Sequence, residues 1–137
     1  MGAWGTKNFE NDHAYDWLNS FLKNPVRAEL EELFDFVLDQ REYLSNHVSE
    51  AALVAAELVA ARLGRASNDF PVEVDISADL TFSADAALVE MAARVVNRVH
   101  YFPGHADSRE LWQEAGAADY AEWEAVLSDL LTRLQHV

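Results

Sequence analysis

The chain has 137 residues, half of them apolar and a quarter charged, enough for one domain with its own core. Ten basic residues against 24 acidic ones give a net charge of −14. Such a field repels a nucleic-acid backbone and anionic lipid, and it attracts a protein with a basic surface. With no cysteine, disulfides, thiolate metal sites and cysteine nucleophiles are excluded, and a reducing cytoplasm is the expected compartment. No basic stretch followed by an apolar run marks a secretory leader. The longest apolar run, residues 51–61, is interrupted by Glu57 and too short to span a bilayer.

The opening "MGAWGTKNFENDHAYDW" sets two glycines about a tryptophan ahead of the first helical pattern. Ala14, Trp17, Leu18, Phe21 and Leu22 share one helical face, with Asn11 or Asp12 as cap and Lys23 at the far end. Asn24-Pro25 restarts the chain, Asn24 as cap and Pro25 at the first helical position. Val26, Leu30, Leu33, Phe34, Val37 and Leu38 form the stripe of this second helix. A third helix is expected over about residues 49–64, capped by Ser49 and terminated by Gly64. It is apolar on almost every side, which places it at the centre.

Residues 69–82 alternate Val72, Val74 and Ile76 with acids, a period of two. No partner strand is visible, so the segment reads as an extended loop with room for a short helical turn. Residues 69–90 hold six acids and no base. A fourth helix follows over about residues 84–101. Asp107 with Glu110, and Asp119 with Glu122, read as capping boxes for a short helix carrying Leu111 and Trp112 and a last helix burying Trp123, Val126, Leu127, Leu130, Leu131 and Leu134. The expected architecture is a single all-α domain over residues 1–137. About six helices pack around the third, with the acidic loop before the fourth.

Little here carries catalytic chemistry. His100 and His105 flank "YFPG" without a third ligand at metal spacing, and His13, His47 and His136 read as solvated side chains. No glycine-rich phosphate loop or nucleophile motif is present. Met1, Gly2 and Thr6 fit a loose acylation pattern, but one acyl chain needs a basic patch to hold a membrane, so no attachment is expected. Glu57 is the exception. A carboxylate amid alanine, leucine and valine must be paired or protonated. It is expected to be largely buried and to accept from the segment Gly2 to Thr6, the Trp4 indole included, or else to meet an arginine. A competing reading joins Glu57 to Glu50, Asp12 and Asp16 as the carboxylates of a metal-dependent hydrolase. Such helical bundles add a Glu-x-x-His pair, which is missing, so neither metal nor cofactor is expected.

The opening resembles the signature of a bacterial family catalogued as domain of unknown function 4259. Its residues here are Gly2, Ala3, Trp4 and Gly5, then Phe9, Asn11, Asp12 and Ala14, then Asp16 and Trp17. The stretches "AALVAAELVAARLG" and "SRELWQEAGAADYAEWEAVLSDLLTRL" also look familial. Lys7 stands where the family usually has glycine, and His13 where a second aspartate is usual. The resemblance implies a small bacterial cytoplasmic protein and no assigned activity. Physically, Gly2 and Gly5 permit tight turns, Trp4 and Phe9 anchor the terminus, and Asp12 and Asp16 lie one helical turn apart. Together with Asn11 and Trp17 these form a structural signature rather than a ligand set. The functional expectation is a non-enzymatic interaction protein, immunity-like in its acidic helical character. Asp75, Asp79 and Asp85 are its expected contact with a basic partner. The alternatives are an acidic decoy of a nucleic-acid-binding protein and the carboxylate hydrolase.

Overall fold

The computed structural model describes residues 5–135. Its elements run α1 (Asp12–Leu22), α2 (Arg27–Asp39), β1 (Tyr43–Leu44), α3 (Asn46–Arg62), α4 (Ile76–Asp79), α5 (Ala86–His100), β2 (His105–Ala106), α6 (Asp107–Ala115) and α7 (Ala117–Gln135). The fold is all-α. Its described residues form seven helices rather than about six, because the acidic loop before α5 contains the one-turn α4.

α3 is the axis. Every residue from 51 to 61 is buried, and α1, α2, α5, α6 and α7 all pack on it. Its alanines let neighbouring helices approach closely, while Leu53, Val54, Leu58 and Val59 fill the gaps between them. Each such branched side chain contributes about 1.5–3 kcal/mol when fully buried. α5 closes the layer by packing on α2 and α7 as well. Gly64 ends the axis at φ +84°, with Gly64 N donating to Ala61 O and Arg65 N to Ala60 O. These two bonds satisfy the last carbonyls of the helix in a conformation that favours glycine.

Several helix starts differ from the sequence expectation. α2 begins at Arg27, not at Pro25, because Val26 N donates to Asn24 O at 2.8 Å and holds Val26 extended. Val26 is therefore 42 % exposed rather than part of the stripe. α3 begins at Asn46, and its cap is Ser45, whose hydroxyl accepts from Val48 N at 3.2 Å. Ser49 lies a full turn inside, buried, and its hydroxyl has no partner among the described residues. Asp107 is the first residue of α6, not its cap, and its carboxylate accepts from Tyr43 Oη and from Asn46 N. α7 starts at Ala117, just after Gly116 at φ +122°, so Asp119 lies within the helix. Glu122 accepts from Thr6 Oγ1 instead of reaching back to a helix end.

The period-two segment is no strand. Pro71 O accepts from Val74 N, Asp75 caps α4, and Val72 points entirely into solvent. The strands of the described residues lie elsewhere, where β1 pairs in parallel with β2, Tyr43 opposite His105 and Leu44 opposite Ala106. Gly104 makes that pairing possible. A Cβ there would collide with the Glu42 main chain, whose carbonyl accepts from His105 N at 2.9 Å.

Candidate functional site

A buried glutamate in an alanine-rich helix is costly unless every oxygen is engaged. Glu57 is 2 % exposed, and α7 supplies its partner. Arg133 Nη1 donates to Oε1 at 2.8 Å and Nη2 to Oε2 at 3.0 Å, the two-pronged geometry that suits guanidinium and carboxylate. Asn8 Nδ2, from the opening loop, donates to Oε2 at 2.8 Å. Burial alone would lower the Arg133 pKa, but the hydrogen bond and charge of Glu57 more than reverse it, and the guanidinium stays ionised. The opening thus reaches Glu57 through Asn8. Gly2 and Trp4, which the sequence set in this role or in anchoring the terminus, lie outside the described residues.

The rest of the opening signature surrounds this pair. Phe9 is buried and meets Phe70 edge-on, with ring centroids 5.5 Å apart. Asn11 is the α1 cap, its side chain accepting from Ala14 N at 2.7 Å. Gly5 packs against the Glu10 side chain. Asp12 and Asp16 are exposed on α1, while Trp17 stacks on Phe21 at 5.1 Å.

A second polar cluster joins α1, α3 and α6. Glu50 Oε1 pairs with His13 Nδ1 at 2.5 Å and accepts from Asn46 Nδ2 at 3.1 Å. Ser108 Oγ donates to Asn46 Oδ1 at 2.6 Å, and the His47 ring lies 4.5 Å from that of His13. Burial raises the Glu50 pKa despite the adjacent histidines. His13 and His47 are therefore not the isolated side chains that the sequence implied. His100 is also buried, bound through Nε2 to Glu124 at 2.7 Å. Thr6, Asn8, Asn11, Asn46, Glu50 and Ser108 face a cavity of about 20 Å³, enough for one water. Ser108 and Asn46 are not legible as a pair in the sequence, because residues 62 positions apart leave no spacing to read.

This arrangement does not fit the four-carboxylate metal site. Glu57 is fully engaged by Arg133 and Asn8, Glu50 by His13 and Asn46, and Asp12 and Asp16 face solvent. His105 pairs with Asp107 and Glu110, apart from His100 and its Glu124. Among the described residues no group of three or more His, Asp or Glu side chains is placed to hold a metal ion.

The acidic segment has local work. Asp75 accepts from Ser77 Oγ and from the amides of Ser77 and Ala78 at the start of α4. Asp79 accepts from Asp75 N. Asp85 caps α5 through Leu88 N at 3.0 Å and pairs with Arg27 Nη1 at 2.9 Å. A different surface stands out. A groove of about 800 Å³ runs between the second half of α1 and the outer face of α2. Trp17, Phe21, Leu33 and Phe36 give it an apolar floor, and Glu29, Glu31, Glu32, Asp35 and Asp39 rim it. Phe36 is 51 % exposed within it.

The fold and this site define an all-α protein with a carboxylate-clasped central helix and a strongly acidic outer face. The chain belongs to the family described as domain of unknown function (DUF4259), whose model matches residues 2–126. Comparison with curated proteins and with solved structures gave no match. Among the described residues no helix is long and apolar enough to cross a membrane.

Proposed function

We propose that this chain is a non-enzymatic protein–protein interaction module of the bacterial cytoplasm, immunity-like in character, whose partner presents a basic surface. What supports this reading is how the fold spends its cations. Seven of the eight arginines donate to main-chain carbonyls: Arg27, Arg41, Arg62, Arg65, Arg98, Arg109 and Arg133. They close helix ends and loops. Among the described residues only Arg27 and Arg133 also pair with carboxylates, namely Glu31, Asp85, Glu57 and Asp129. Most of the 24 acids therefore meet solvent without an arginine or lysine counter-charge, and the resulting field accelerates encounter with a basic protein. The cysteine-free composition and the family resemblance support the compartment and the source.

Affinity capture from the native cells at low and at high ionic strength, followed by rebinding of the purified components, tests the proposal. The expected result is a basic protein that rebinds when pure and dissociates as salt rises. A partner as acidic as this chain, or binding indifferent to salt, overturns it.

A further inference from the structure

We infer that the groove between α1 and α2 seats an amphipathic helix of the partner, its apolar ridge on Phe36 and Trp17 and its lysines and arginines against the α2 carboxylates. The inference rests on the acidic-module reading and names its contact surface. Four observations lead to it. α2 packs inward through Leu30, Phe34 and Val37, yet it presents a second aromatic residue, Phe36, on the opposite side. An aromatic ring half in water contributes only part of its burial to the monomer, whereas large apolar anchors in a groove dominate helix recognition.

The floor is also preformed. Trp17 and Phe21 stack in near-parallel planes at 17°, which fixes the wall opposite Phe36 before anything binds. Charge selects the occupant. Five carboxylates and no base line the groove, and Glu31 alone of them has a nearby cation, Arg27 at 3.6 Å. A second copy of this chain, at −14, is repelled from such a surface, so the complement is basic. Length sets the form. The 13 residues of α2 span roughly 20 Å, matching about three turns of a helix with anchors spaced three and four residues apart.

The test uses the full chain and two synthetic peptides of equal leucine and lysine content. One places the leucines on a single helical face, and the other is scrambled. Binding is followed by calorimetry with wild type, Phe36→Ser, Glu32→Gln/Asp35→Asn and, as a control outside the groove, Glu114→Gln/Asp119→Asn. The expected result is one amphipathic peptide per chain, with affinity lowered about tenfold or more by Phe36→Ser at an unchanged melting temperature. The groove charge variant should lose affinity and salt dependence together, and the control should keep both. Equal affinity for the scrambled peptide overturns helix docking. So does binding lost equally in the control pair, though salt-dependent acidic recognition then survives. Absence of salt-dependent binding to either peptide removes both the groove and the module.

Discussion

Glu57 and Arg133 stand 76 residues apart in the chain and meet through two parallel hydrogen bonds in the core. Neither charge is tolerable there alone. Removing one partner leaves the other buried and unpaired, a loss of about 3–5 kcal/mol. Glu57→Ala and Arg133→Ala should each lose stability on that scale in urea denaturation, and Glu57→Gln less, since its amide oxygen still accepts. Because the two residues share one interaction, the double variant should lose much less than the sum of the single losses. Additive losses would show that the pair is not coupled.

Two serines four residues apart give opposite forecasts. Ser45 caps α3, so Ser45→Ala should cost about 1 kcal/mol. Ser49 buries an unpartnered hydroxyl, so Ser49→Ala should be neutral or stabilising by up to about 1 kcal/mol. Thermal melts of the two variants side by side decide which serine starts the helix.

Asp75 and Asp85 hold their carboxyls below the ordinary aspartate range, the first through the Ser77 hydroxyl and nearby amides, the second through Arg27 and the Leu88 amide. A carboxyl with a lowered folded pKa adds stability above its unfolded pKa and loses it as pH falls through the folded value. Replacing Asp75, Asp79 and Asp85 together by Asn should therefore lower the melting temperature at neutral pH. That gap should narrow under acid. The expectation that these three serve only as partner contacts would predict no gap at any pH.

Glu50 behaves the other way. Burial raises its pKa, so its ionisation opposes folding: the favourable contribution is complete below the ordinary glutamate pKa and is lost as pH rises through the raised value. Glu50→Gln removes that penalty while keeping an acceptor for Asn46. Its melting temperature should equal or exceed that of wild type at neutral pH, with the advantage gone in acid. A variant that melts lower at neutral pH would mean that the His13 pairing outweighs burial.

The legible parts of the fold were those with a local cause. The all-round apolarity of residues 51–61 placed α3 at the centre, the pair Asn11 and Asp12 announced the start of α1 without choosing between them, and Gly64 announced the end of α3. Glu57 was legible too, because one carboxylate in an apolar run demands a partner of opposite charge or a set of donors. What could not be read was chosen by tertiary contacts. Ser45 and Ser49 both suit a cap, and the chain path from β1 selects Ser45. Asp107 fits a capping box, yet the Tyr43 hydroxyl draws its carboxylate across to the β1 side. The α1–α2 groove was invisible because Phe36 looks like one more apolar residue beside Phe34 until the inward face of α2 is known.

The clasp on Glu57 also orders events during synthesis. Its partner from the opening loop is available early, but Arg133 is added near the close of the last helix, after α1 to α6 have left the peptidyl-transferase centre. Until then the central helix carries a carboxylate that cannot be buried without protonation or loss of stability. A chain that stops short of Arg133 leaves the Glu57 carboxylate without its guanidinium, so closure of the core around the central helix waits on α7.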